Sequence, residues 1–104
     1  MAALDLTTVS VSDGQWRIDV AGEIDMTTAS QLTTAIYAVL AQPGVSSIVV
    51  DLAEVDFCDS SGIAALIAGR NLSIAQETRY AVVRPTGIVK AVLDISGVGE
   101  LLGS

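Results

Sequence analysis

The chain has 104 residues, of which 51% are apolar, and its 12 acidic and 5 basic side chains give a formal net charge of −7. This length and apolar content suit one small globular domain, so we expect residues 1–104 to form a single domain. The absence of histidine excludes serine–histidine triads and the usual zinc sites, and a single cysteine excludes an internal disulfide.

The few basic residues are scattered along the sequence. They form no stripe of the kind that contacts nucleic-acid phosphates. No apolar run approaches the roughly 18 residues of a membrane span, and the first residues lack a signal-peptide pattern. We therefore expect a soluble, cytoplasmic protein that binds neither nucleic acid nor a membrane. An acidic surface favours a protein partner with basic or mixed charge.

Two strands are predicted at the N-terminal end. Apolar residues alternate over residues 4–11 and again over residues 16–20, and a turn pair, Asp13 and Gly14, separates the two runs. The two strands are therefore expected to pair as a hairpin.

A helix is predicted after this hairpin. Asp25 or Thr27 can cap its start, and Pro43 and Gly44 lie beyond its end. Its apolar face consists of residues three and four positions apart: Ala29, Leu32, Ile36, Val39 and Leu40.

A β-branched block in residues 46–52 predicts a buried third strand. A second helix, beginning near Ser61, carries Ile63, Leu66, Ile67 and Ile74 roughly on one face. A fourth strand is predicted over residues 80–83, and Thr86 then opens a third helix that Gly97 stops. Strands separated by helices imply right-handed crossovers. The predicted fold is α/β, with a mixed, mostly parallel sheet of four to five strands packed against helices.

The junction between the third strand and the second helix, predicted as a loop from Asp56 to Gly62, is rich in hydroxyl groups. Free backbone N–H groups at a helix start favour an anion, including a phosphoryl group on serine. The simpler alternative is that Asp59, Ser60 or Ser61 only caps the helix and that Gly62 relieves crowding at the turn. The residues alone leave both interpretations open.

The sequence Asp59, Ser60, Ser61, Gly62 resembles the phosphorylation motif of the anti-sigma factor antagonists, a branch of the STAS domain family. Residues 22–25, Gly-Glu-Ile-Asp, resemble the stretch between the second strand and first helix of that family. Residues 82–97 resemble the family's fourth strand and third helix. The resemblance runs in order from about Val9 to Leu101, nearly the whole chain.

This resemblance implies a regulatory protein that is not an enzyme and needs no cofactor or metal of its own. Ser61 would be the phosphoacceptor, and a serine phosphatase would reset it. The unphosphorylated form would bind a serine kinase that is also an anti-sigma factor, and would thereby release the sigma factor. The implied partner-binding residues are Asp25, Asp56, Asp59, Ser60 and Gly62.

Topology predicts that Asp25 and the loop of residues 56–62 emerge at one edge of the sheet, because both follow parallel strands. Glu23 is a further candidate for a group of carboxylates near Ser61. Such a group could bind Mg²⁺, but in a phosphorelay the nucleotide and its metal belong to the kinase. We therefore expect no metal site in this chain.

Two alternatives remain from the sequence. The chain could be a phosphoregulated STAS scaffold subunit of a larger signalling complex, or a small enzyme with Ser61 as nucleophile, activated by Lys90 or a carboxylate. Two features depart from the family pattern. The sequence ends at residues 101–104, where relatives commonly continue, and residues 76–79 lack the glycine common before the fourth strand.

Overall fold

The computed structural model describes residues 4–95, which form four strands and three helices. Their order is β1 (Asp5–Ser12), β2 (Gln15–Ile24), α1 (Ala29–Leu40), β3 (Ser47–Cys58), α2 (Ser60–Ala75), β4 (Arg79–Val83) and α3 (Gly87–Ile95). The strands lie in the order β1-β2-β3-β4, with β1 antiparallel to β2 and the other pairs parallel. The predicted α/β fold is confirmed, with four strands in this part of the chain. The predicted stop at Gly97 lies outside the described residues.

The core lies between the sheet and the paired helices α1 and α2. Right-handed crossovers place both helices on the same face of the sheet, where they pack against each other. Alternate residues of β2 and β3 point into this core, and the predicted face of α1 supplies the opposite wall. The most deeply buried side chains include Ile18, Val20, Ile24, Leu32, Ile36, Ile48, Val50, Leu52 and Leu66. Burying each such side chain stabilises the fold by about 1.5–3 kcal/mol.

The buried stripe of α2 differs from the prediction at its C-terminal end. Ile63 and Leu66 are buried as expected, but Ile74 is 56% exposed and the small residues Gly69 and Ser73 face the core instead. A Cβ atom at Gly69 would lie 3.0 Å from Ile36 Cγ2, so the absence of a side chain lets α2 approach α1 closely. Apolarity alone predicts that Ile74 lies in the core. The close contact between α1 and α2 instead requires small residues on the buried face of α2.

β3 is longer than predicted, since it continues from residue 52 to Cys58. Two irregularities allow this. The pairing with β2 shifts between Asp19 and Ala21 and again between Gly22 and Glu23, so β3 carries an extra residue at each point. The predicted start of the loop at Asp56 is therefore wrong: Asp56 is the extra residue at the second shift, and only Asp59 lies between β3 and α2.

The turn before β4 is made without glycine. α2 ends in a Schellman arrangement in which Thr78 N–H donates to Ser73 O at 2.8 Å and Glu77 N–H donates to Ile74 O at 3.0 Å. Glu77 adopts the left-handed conformation, with φ of 57°. A non-glycine residue thus fills the position where the sequence departs from the family pattern.

A charged cluster occupies the other face of the sheet, away from α1 and α2. Arg17 pairs with Asp19 on β2, and Arg84, just after β4, pairs with Asp51 on β3. The Asp51 side chain is only 6% exposed and also accepts a hydrogen bond from Ala53 N–H at 3.0 Å, at the first shift in β3. Arg84 therefore ties the end of β4 to the centre of the sheet.

We expect Arg84→Met to lower the free energy of unfolding by about 2 kcal/mol, because it leaves the buried Asp51 carboxylate without its charged donor. The pKa of Asp51 reflects opposing effects: burial raises it, but the Arg84 hydrogen bonds and the Ala53 N–H lower it more, so it lies below its ordinary value. This stabilisation is present above the ordinary carboxylate pKa and is lost as pH falls through the folded-state pKa.

Urea unfolding of both proteins at pH 7 and at about pH 3 measures this effect. The difference between wild type and Arg84→Met should shrink at the lower pH. Lys90→Met is the matched control, because the Lys90–Asp94 pair is exposed and should contribute about 0.5 kcal/mol or less. Equal losses of unfolding free energy for Arg84→Met and Lys90→Met would contradict a special stabilising role for the Arg84–Asp51 pair.

Candidate functional site

The parallel strands β2 and β3 end side by side. Ile24 is the register partner of Cys58, and Asp59 N–H donates to Ile24 O at 3.1 Å. Asp25 and Asp59 therefore leave the sheet from neighbouring positions. The predicted common edge for the segment after β2 and the segment after β3 is confirmed.

Asp59 caps α2. Its backbone is extended, and its Oδ1 atom accepts hydrogen bonds from Ser61 N–H at 2.8 Å and Gly62 N–H at 3.4 Å. The structure thus selects Asp59 among the three predicted capping residues. Two of the N–H groups expected to be free for an anion, those of Ser61 and Gly62, are therefore engaged by this carboxylate in the unmodified chain.

The two serines of the motif occupy the first turn of α2. Ser60 is exposed, and Ser61 is partly exposed beside the cap. Both hydroxyl groups belong to a capped helix start rather than to a long loop. This arrangement holds the Ser61 side chain at a defined place on the sheet edge.

Gly62 lies inside the fold. A Cβ atom at this position would lie 2.5 Å from Cys58 Sγ and 2.7 Å from Ile24 Cγ2. The missing side chain lets α2 begin directly against the ends of β2 and β3. Because Gly62 is buried, we expect any contribution to partner binding to come from this close packing rather than from direct contact.

Cys58 is a packing residue next to the motif. Its side chain is 2% exposed, and burial, with a smaller effect from the Asp59 charge, raises the pKa of its thiol to about 11. The thiol is therefore protonated at neutral pH.

The Asp25 carboxylate organises the turn between β2 and α1. Its Oδ1 atom accepts hydrogen bonds from Thr27 N–H at 2.9 Å, Thr27 Oγ1 at 2.7 Å and Thr28 N–H at 3.2 Å. The Thr27 hydroxyl and backbone N–H are the main reasons that the pKa of Asp25 lies below its ordinary value. Thr28, not Thr27, holds the capping position of α1, but its side chain makes no cap bond to the helix.

The remaining acidic candidates, Asp56 and Glu23, lie on β3 and β2 themselves. Asp56 is exposed at the second irregularity of β3, and Glu23 pairs in register with Phe57. Within residues 4–95, the acidic side chains and the cysteine form no group that could hold a metal ion. The carboxylates thus share an edge of the sheet without converging on a metal site. Lys90 lies in α3, where its Nζ atom is 3.3 Å from Asp94 Oδ2.

Two apolar residues near the motif were missed by sequence reasoning. Met26, in the turn after β2, is 82% exposed, and Phe57, near the end of β3, is 40% exposed. Side chains alternate between the two faces of a strand, and Cys58 faces the core, so the sequence of β3 could have indicated that Phe57 is exposed. Exposed large apolar side chains beside a polar motif are typical of protein interaction sites.

No helix within the described part of the chain combines the length and the apolarity needed to cross a membrane.

Comparisons with known proteins agree with this architecture. A family model described as "Mlab, STAS domain" matches residues 7–103. The anti-sigma-F factor antagonist RsfB of Mycobacterium tuberculosis is 32% identical over 102 residues, which cover 96% of this chain and 82% of RsfB.

Solved structures show the same fold. A crystal structure of an anti-sigma factor antagonist from Mycobacterium paratuberculosis superposes with a TM-score of 0.83 at 30% identity, covering 96% of this chain and 83% of that one. The anti-sigma factor antagonist SpoIIAA in its unphosphorylated form gives a TM-score of 0.80 at 24% identity, covering 92% and 84%. Proteins of this type are regulatory binding proteins rather than enzymes. The chain therefore belongs to the STAS domain family.

Proposed function

We propose that this protein is an anti-sigma factor antagonist whose unphosphorylated form binds an anti-sigma factor serine kinase and releases the sigma factor, and that phosphorylation of Ser61 switches this binding off. The observation that carries the proposal is the position of Ser61: it is partly exposed in the first turn of α2, at the sheet edge that also holds the Asp25 turn. The relatives named as anti-sigma factor antagonists support the partner class.

The surface around Ser61 suits a protein partner. Met26 and Phe57 offer exposed apolar contacts, and Asp56 offers an exposed negative charge. The net charge of −7 favours encounter with a basic partner surface. The exposed apolar side chains favour a partner that also has an apolar patch. Asp25 would act mainly by holding the turn that presents Met26.

The proposed modification is a phosphoryl transfer from a nucleoside triphosphate held by the kinase. Ser61 Oγ forms a new bond to the terminal phosphorus, the bond to the nucleoside diphosphate breaks, and the hydroxyl proton passes to a base on the kinase. The metal that accompanies the nucleotide belongs to the kinase as well. A serine phosphatase then hydrolyses the phosphoester and restores the hydroxyl.

A pull-down from native cell extract tests the proposal, with wild type, Ser61→Ala and Ser61→Asp as baits and mass spectrometry to identify the retained proteins. We expect wild type and Ser61→Ala to retain a small ATP-binding serine kinase that Ser61→Asp loses. Ser10→Asp is the matched control and should retain the kinase, since it places the same charge on an exposed position of β1 that pairs with Trp16, at the opposite end of β2 from Ile24. Retention of the same proteins by every bait would instead favour a scaffold subunit of a larger signalling complex.

A further inference from the structure

We propose that Asp59 and a phosphoryl group on Ser61 compete for the same N–H groups, so that phosphorylation expels the Asp59 carboxylate from the start of α2. This inference rests on Ser61 being the phosphoacceptor, as proposed above. It adds a conformational element to the switch, because the modification would rearrange a second side chain as well as add charge.

The competition follows from the hydrogen bonds of the cap. Asp59 Oδ1 accepts from the N–H of Ser61 itself and from that of Gly62. A phosphoryl group on the Ser61 side chain is tethered beside those two donors and carries a charge of about −1.5 to −2 at pH 7. The helix start supplies only about half a positive charge. Both anions cannot be stabilised there together, and the one with more charge and more acceptor oxygens prevails.

The backbone around the cap has little freedom to relieve this conflict. Asp59 N–H donates to Ile24 O, and Ile63 N–H donates to Asp59 O, each at 3.1 Å. Gly62 is held against Cys58 and Ile24 by close packing. The Asp59 side chain, in contrast, is partly exposed and can rotate into solvent. The expected response is therefore a side-chain movement on a fixed backbone.

Other acidic groups near this edge of the sheet do not share the hydrogen-bond donors of Asp59. Asp25 has its own donors within the turn after β2, and Asp56 is exposed on β3. Within residues 4–95, the start of α2 donates its side-chain cap bonds to Asp59 and not to either of these carboxylates. Asp56→Asn is thus a suitable control for a general loss of negative charge near Ser61.

A thermodynamic cycle tests the competition without any partner protein. Phosphoserine is incorporated site-specifically at position 61 in wild type, Asp59→Gly and Asp56→Asn, and the melting temperature of each is measured with and without the phosphate. Glycine at a helix cap costs little stability and has no side-chain acceptor, so Asp59→Gly should fold and leaves the Ser61 and Gly62 N–H groups without a competing carboxylate. We expect the change in melting temperature on phosphorylation to be about 5 °C less favourable in wild type than in Asp59→Gly. Asp56→Asn should respond like wild type.

Amide NMR shifts of Ser61 and Gly62 supply a second measurement. Phosphorylation should move both resonances in wild type, since the acceptor of each N–H changes. Equal changes in melting temperature for wild type and Asp59→Gly, or unmoved amide resonances, would overturn the inference. Because no kinase is used, such a result would leave the proposed function standing, and a failed pull-down would leave this cycle interpretable.

Discussion

Phosphorylation of Ser61 is expected to weaken binding of the kinase partner at least about a hundredfold, which corresponds to about 2.7 kcal/mol. The partly exposed hydroxyl becomes a hydrated dianion at the edge of the sheet where β2 and β3 end, the edge that also carries the exposed apolar residues Met26 and Phe57. Desolvating that charge, together with repulsion from acidic neighbours, can supply this free energy at an interface.

Isothermal titration of the purified partner with unmodified and phosphorylated protein measures the change in Kd. Phosphoserine placed at position 10 is the control, and it should change the affinity little because Ser10 pairs with Trp16, at the opposite end of β2 from Ile24. Two further variants, Met26→Ala and Phe57→Ala, should each weaken binding of the unmodified form. Unchanged affinity after modification of Ser61 would refute the switching mechanism.

Gly62→Ala is expected to lower the free energy of unfolding by about 2 kcal/mol, or the melting temperature by about 10 °C. The added methyl group would overlap Cys58 Sγ and Ile24 Cγ2, both on strands that cannot move apart without breaking core contacts. Better helix propensity of alanine offsets at most about 1 kcal/mol of this cost.

Thermal unfolding followed by circular dichroism measures the loss. Ala64→Ser, at an exposed position of the same helix, should change stability by only about 0.5 kcal/mol. Combining Gly62→Ala with Cys58→Ala should recover part of the stability, since it removes the nearest atom. A Gly62→Ala protein as stable as wild type would show that α2 can shift at its start.

The sequence predicted the type and order of the elements because their apolar periods are regular. The end of β3 was missed for a specific reason: Glu54 and Asp56 interrupt the apolar run, and the register shifts that let β3 continue beside β2 depend on contacts distant in sequence. Ile74 was misplaced because apolarity alone does not show where α1 and α2 touch.

The candidate site was only partly accessible from sequence. The resemblance selected Ser61, and topology placed Asp25 and Asp59 at one edge of the sheet. The hydrogen-bond partners of each carboxylate could be seen only in the structure: Asp59 accepts from the start of α2, and Asp25 accepts from its own turn. Met26 was not singled out because a lone methionine in a turn carries no periodic signal.

The burial of Cys58 bears on oxidative stress. With a thiol pKa of about 11, the reactive thiolate is a very minor species at pH 7. Peroxide attack requires that thiolate and an open approach, and the side chain is almost fully covered. The sulfur next to the proposed switch should therefore resist oxidation to sulfenic acid, so that peroxide would leave the packing behind the Ser61 motif unaltered.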